Sequence, residues 1–292
     1  MKRIRWIDGA KGVAMLMVIA VHLSQKYSWL PGNIFSFGAM GVQLFFLLSG
    51  YCLCMKPRQI GGMSGPGILM KRYCRLAPWY VAGVSIYAVY YWLSGNYTAL
   101  ANYTPWNIAS NILMVNSLFP SAQNTIVPGG WSISCIALFS FSFPLFTTND
   151  GRLRLWWLLA VSLTGIALSV VGYVVLDWPR QYTYCSIMNQ FIVFALGAAY
   201  YATRQLWVQQ VGLVSAAGAA ISLFVITVCA VLLDREHAIL YRHILISLSF
   251  ILSLPLLEHV DVHMPSWLVW IGRHSYEIFI FHFLAIWLLP NC

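Results

Sequence analysis

The chain alternates long apolar runs with short polar breaks. A helix needs about 20 mostly apolar residues to cross a bilayer. Runs of that kind lie near 10–30, 34–55, 76–94, 131–147, 155–176, 183–203, 211–233, 239–257 and 267–289. A shorter apolar piece lies at 106–119. If it crosses, there are ten spans and both termini share one side; if it is re-entrant, there are nine and they do not. The pattern predicts an all-α, polytopic membrane helix bundle. No composition break, low-complexity tract or internal repeat divides it, so 1–292 reads as one integral domain.

Composition agrees. The chain is 60% hydrophobic and 9% charged, against about 25% charged in soluble domains, and its mean hydropathy is +0.73. The first run follows Arg5 but is not followed by a small-residue cleavage site. The chain continues Gln25-Lys26-Tyr27-Ser28-Trp29, which reads as a retained span rather than a signal peptide. At the other end the chain stops at Pro290-Asn291-Cys292, directly after the last span, which leaves room for a missing tail.

The net charge of +9 reflects topology, not nucleic-acid binding. Nine of the seventeen Lys and Arg gather in two early clusters: Lys2, Arg3, Arg5 and Lys11, then Lys56, Arg58, Lys71, Arg72 and Arg75. Basic flanks of membrane spans stay in the cytoplasm, which puts the N-terminus and the loop between spans two and three inside. Later charges do not fix sidedness. The loop 95–105 carries no charge and is expected outside; its two Asn-Tyr-Thr sequons read as chance. Trp79, Tyr80, Trp156 and Trp157 read as interfacial belt residues. The seven cysteines form no CxxC, so neither a disulfide framework nor a zinc site is expected. His259 and His263 stand four apart in an expected loop with no further ligand, so no metal site is expected there either. Nucleotide-binding glycine loops, Gly-x-Ser-x-Gly and His-Glu-x-x-His are absent from the sequence.

Lys11 and His22 are the chemically informative pair. Eleven residues separate them on the first helix. Eleven steps of about 100° leave only about 20° after three turns, with a rise of roughly 16 Å. Both side chains share a face, with the cation near a membrane surface and the imidazole well inside. An ionisable group at membrane depth is a functional hypothesis by default, though hydrogen bonding between helices also explains a lone histidine. His282 has the same two readings. Glu277 lies far from any predicted loop, and pairs with Arg273 one turn earlier or orients a basic partner.

Five blocks occur in order. They are Asp8-Gly9-Ala10-Lys11-Gly12-Val13-Ala14 running to His22, Gly41 to Tyr51, Lys71-Arg72-Tyr73-Cys74-Arg75-Leu76-Ala77-Pro78, Val127 to Ile133, and Gly272 to His282. Together they resemble the signatures of membrane acyltransferase family 3. The resemblance implies O-acyl transfer, most often O-acetylation, from acetyl-CoA or another acyl-CoA to a hydroxyl of an envelope carbohydrate or lipid-linked glycan. It implies a bacterial inner membrane and no permanently bound cofactor. Membrane lipids are expected as partners.

On this reading His22 is the general base or the covalent acyl acceptor, since neutral imidazole is the usual base near pH 7. Lys11, Arg72 and Arg75 would hold the CoA phosphates. Ser49, Asn116, Trp131 and Ser132 are weaker candidates for the acceptor cavity, with Glu277 and His282 beside them. Three positions depart from the family pattern: Ile136 replaces a frequent glutamate, Asn116 a frequent histidine, and Lys11 the usual arginine. The rival readings are a small-molecule transporter using the same cavity and a degenerate partner subunit of the same fold. The topology reading of the basic residues stands beside the phosphate one.

Overall fold

The structure, a computed structural model, describes residues 4–27, 36–55, 65–147, 152–210, 213–233 and 236–290. Lys2, Arg3, Lys56 and Arg58 therefore lie outside the described residues, as does the side chain of Arg72. The described part is helical, with no strand; two residues, Thr147 and Leu153, form an isolated bridge.

Helix α1 spans Arg5–Lys26. At about 1.5 Å per residue it is about 33 Å long, enough to cross a bilayer core. Asp8 lies in its first turn and Lys26 in its last, both favourable to the helix dipole. Helix α2, Gly41–Met55, follows a 3-10 turn at Ser36–Met40. Helix α3, Gly65–Leu93, starts well before the expected residue 76 and carries Pro78 inside it. Two short helices follow, α4 at Tyr97–Leu100 and α5 at Pro105–Ile112.

Helix α5 starts where Thr104 accepts the Asn107 N–H and Pro105 sets the first turn. It ends before Met114, whose φ is +56°. Its eight residues reach only about 12 Å, short of the roughly 30 Å hydrocarbon core. The piece at 106–119 is therefore not a helical span.

Beyond it come α6 (Gly130–Ser142), α7 (Leu155–Val174), α8 (Arg180–Cys185), α9 (Ile187–Gln210), α10 (Leu213–Leu233), α11 (Ala238–His259), α12 (Ser266–Arg273) and α13 (Ser275–Leu288). Two expected spans are interrupted, although Arg180–Gln205 is still long and apolar enough to cross a membrane as one segment. Ser186 takes an extended ψ of 140° between α8 and α9. His274 leaves helical geometry between α12 and α13. His259, expected in a loop, is the last residue of α11.

Among the described residues five helical segments are long and apolar enough to cross a membrane, and three apolar helices are shorter. The expected nine or ten is not reached on that measure. Helix α7 shows which solvent the bundle meets. Its buried stripe is Leu158, Ser162, Gly165, Ser169 and Gly172, whereas Leu159, Leu163, Val170, Val171 and Val174 face outward. Beyond Leu158, small residues inside and large aliphatics outside reverse the arrangement of a soluble helix and fit lipid. Trp79, Trp156 and Trp157 are exposed, as a belt requires. Tyr80 is not: it is fully buried, and its hydroxyl donates to Asn111 Oδ1 at 2.9 Å. A tyrosine on the inward face of α3 is core whatever its depth.

Backbone-close crossings assemble the bundle. A Cβ at Gly50 would meet the Phe194 carbonyl, and one at Gly197 the Leu47 carbonyl, which joins α2 to α9. A Cβ at Gly12 would meet the Leu268 carbonyl, and one at Gly272 the Asp8 carbonyl, which joins α1 to α12. Arg5 donates to the Met264 carbonyl at 2.8 Å, and the Trp6 N–H to Asp261 Oδ1 at 2.6 Å, tying the same end.

Candidate active site

Helices α1 and α13 lie side by side, and each touches two cavities. The first, of about 400 Å³, opens near the Arg5 end of α1. Asp8, Lys11, Ser49, Arg75, Arg273 and Glu277 line it, with Ile136 and Ser140. Six helices, α1, α2, α3, α6, α12 and α13, thus bring charge or hydroxyl groups to one space. The Nε of Arg273 pairs with Asp8 Oδ2 at 3.2 Å. Lys11 and Arg75 have no ion pair among the described residues, so two cations remain for an anionic ligand.

The expected Glu277–Arg273 pair does not form. The break at His274 puts the two residues on different helices, and the crossing at Gly272 turns Arg273 toward Asp8. Glu277 Oε2 is buried without a hydrogen-bond partner.

The second cavity, of about 550 Å³, lies at the Lys26 end. His22, Gln25, Lys26, Tyr90, Tyr91 and Trp287 line it, with Ser94, Asn96, Phe283 and Ile286. His22 Nδ1 is 2.8 Å from Gln25 Oε1. An amide oxygen only accepts, so this contact assigns the proton to Nδ1 and leaves Nε2 with a free lone pair. His282 stands behind, its ring 5.2 Å from that of His22. Its Nδ1 is 2.7 Å from the Phe279 carbonyl, and its Nε2 is buried without a partner. The same tautomer follows for His282.

His22 is not deep in the helix. Helix α1 begins at Arg5 and ends at Lys26, earlier at both ends than the apolar run suggested, so His22 lies about one turn from its end. Lys11 and His22 nonetheless face the same neighbour, α13, from opposite cavities. Between the cavities lies an apolar layer with Met15, Val18 and Phe279 in its core and Phe45 edge-on to Phe279 at 6.2 Å.

The other sequence candidates separate. Ser49 and Glu277 join Lys11 and Arg75. Asn116, Trp131 and Ser132 line neither cavity. Asn116 is fully buried with both side-chain polar atoms unpartnered. Trp131 packs edge-on to Phe46 and beside Tyr184, and the Ser132 hydroxyl donates to the Gly129 carbonyl. No group of three or more potential metal ligands occurs among the described residues.

A family model described as an acyltransferase domain matches residues 4–291, nearly the whole chain. The chain belongs to this acyltransferase family. Among curated proteins it is 27% identical over 189 residues to "Acyltransferase MdmB" of Streptomyces mycarofaciens, covering 58% of this chain and 45% of that one. It is 33% identical over 88 residues to "Protein 2 in picA locus" of Rhizobium radiobacter, covering 29% of this chain and 44% of that one. The chain thus spans less than half the length of these relatives. No solved structure matches it. Ile136 lines the same cavity as Glu277, so that cavity holds a carboxylate besides the Asp8–Arg273 pair.

Sequence reasoning missed Gln25, Lys26, Tyr90, Tyr91 and Trp287. Gln25 had a signal, since residues three apart on a helix are neighbours. The aromatic residues had none, because tyrosine and tryptophan near a span end read as belt.

Proposed function

We propose that the protein is an O-acyltransferase that moves an acyl group, most simply acetyl, from acyl-CoA to a hydroxyl of an envelope carbohydrate. The observation that carries this reading is the division of one helix between two cavities: Lys11 lies in one lined by several charged side chains, and His22 in one whose single charged lining residue among the described residues is Lys26. Their separation of roughly 16 Å along the axis is comparable to the reach of a pantetheine arm. Lys11 and Arg75, joined by Arg72, would hold the phosphates, and Ser49 lies beside them.

The acceptor hydroxyl would come from the His22 side. A sugar hydroxyl is a weak nucleophile and needs a base in the transition state. Gln25 holds the imidazole with Nε2 available. Nε2 takes the hydroxyl proton as the oxygen attacks the thioester carbonyl. The C–O bond forms, the C–S bond breaks, and the imidazolium returns the proton to the departing thiolate. The phosphates would sit on the cytoplasmic side with the basic N-terminus, in a bacterial inner membrane, and the ester would form at the opposite face.

The test is transfer of label from radioactive acetyl-CoA to envelope glycans by the lipid-reconstituted protein. The expected result is label in an alkali-labile ester, with one free CoA thiol per ester. Solute flux without ester formation contradicts it and favours a transporter. Acetyl-CoA binding without turnover favours a degenerate subunit.

A further inference from the structure

Among the described residues, the lining of the cavity beside His22 holds one full charge, and the fold has already engaged its hydrogen-bond donors. Lys26 carries three N–H donors and no acceptor. Its Nζ donates to the carbonyls of Ile286 at 2.7 Å, Trp287 at 3.4 Å and Leu289 at 2.5 Å. These are carbonyls at the C-terminal end of α13, which a cation caps favourably. Aspartate and glutamate are absent from the lining residues. Among the described residues the cavity therefore offers no ammonium with a free N–H donor for an acidic ligand and no side-chain carboxylate for an amine.

What it offers is an aromatic wall with hydrogen-bonding groups on the rim. The Trp287 and Tyr90 rings stack at 5.5 Å and 24°, and Tyr91 lies 6.0 Å from Trp287 at 45°. Gln25, Ser94 and Asn96 supply amides and a hydroxyl around them. Such a wall accepts the apolar face of a saturated ring, and the rim groups exchange hydrogen bonds with its hydroxyls.

We infer that this cavity selects an uncharged sugar ring, seated on Trp287 and Tyr90, and discriminates against uronic acids and free amino sugars. The inference rests on the acyltransferase reading only for the purpose of the site; the selection itself is a binding property. An acidic ring entering here would lose water from its carboxylate and find the Lys26 N–H donors already taken, and a charge that gives up water without gaining hydrogen bonds is costly.

The test measures binding by saturation-transfer NMR, without acetyl-CoA, of methyl glucoside, methyl glucuronide and methyl glucosaminide to protein in nanodiscs. Wild type is compared with Trp287→Ala and Tyr90→Leu, each checked for an unchanged unfolding midpoint; if the first variant loses its fold, the second carries the test. The expected result is preferred binding of the glucoside, weakened about tenfold by either variant. Glucuronide or glucosaminide binding as well as glucoside overturns the inference, as does glucoside binding that neither variant weakens or no glycoside binding at all. Labelled acetyl transfer is run in parallel. Trp287-dependent glucoside binding with no transfer refutes the enzyme reading and leaves the selection intact. Transfer to glucuronide as fast as to glucoside does the reverse.

Discussion

Two glycine-to-alanine substitutions of identical chemistry should change stability in opposite directions. At Gly272 a Cβ would collide with the Asp8 carbonyl oxygen, and would lie 2.6 Å from its carbonyl carbon and 2.9 Å from the Gly12 nitrogen. Ordinary carbon contacts begin near 3.4 Å, and all three atoms are backbone, so no rotamer change relieves the clash. Helix α12 must retreat from α1 by about 1.5 Å, in the range where overpacking costs about 1–3 kcal/mol, here toward the upper end. The retreat also loosens the Arg273–Asp8 contact and two hydrogen bonds, Arg5 to Met264 and Trp6 to Asp261.

At Gly218, by contrast, a Cβ meets nothing within 4 Å. There, inside α10, alanine gains about 0.5–1 kcal/mol from backbone entropy alone. The two variants should therefore differ by about 2–4 kcal/mol in SDS-driven unfolding from bicelles. Equal unfolding curves, or a Gly272→Ala variant as stable as wild type, would refute the close crossing of α1 and α12. With it would go the account of how the charged cavity is shaped.

The remaining predictions concern the two cavities. Lys11→Met should raise the KM for acetyl-CoA about tenfold or more, as loss of a charged hydrogen bond worth about 1.5–3 kcal/mol implies. The same variant should leave the KM for acetyl-pantetheine, which lacks the nucleotide phosphates, unchanged; an equal rise for both donors would put Lys11 elsewhere. Gln25→Leu should lower kcat about tenfold or more with little effect on the KM for acetyl-CoA, because it frees the His22 tautomer without touching the charged cavity. An effect on that KM alone would remove Gln25 from the chemistry. Asp8→Asn should increase rather than decrease affinity for acetyl-CoA in equilibrium binding, since it releases the Arg273 guanidinium to a phosphate; unchanged affinity would show that Arg273 does not face the ligand.

Membrane class, helical architecture and family were legible because each rests on many residues at once. Apolar runs mark helices by summed hydropathy, and five ordered blocks mark the family. What failed to show was local. The breaks at Ser186 and His274 fall in short polar stretches, Thr183 to Gln190 and Gly272 to Glu277, but the apolar residues on either side of each read as one span, and where the chain turns answers to neighbours. At His274 the neighbour is α1, whose Asp8 backbone lies against Gly272 and whose Asp8 carboxylate holds Arg273. The depth of His22 was misjudged for a related reason. Hydropathy locates an apolar run to within a turn or so, and Ile4 to Ile7 is already part of the packed end. The Lys11–His22 register survived because it depends only on helix periodicity. The roles of Asn116, Trp131 and Ser132 were invisible, because a motif fixes neither which wall a side chain faces nor whether a cavity lies beside it.

The most direct measurement is acetyl transfer from radiolabelled acetyl-CoA to envelope glycans, comparing wild type with His22→Ala at equal expression and equal acetyl-CoA binding. The account predicts incorporation by wild type and loss of at least about 10²-fold in the variant, the scale of a missing general base. Equal incorporation by both would contradict it and take His22 out of the reaction.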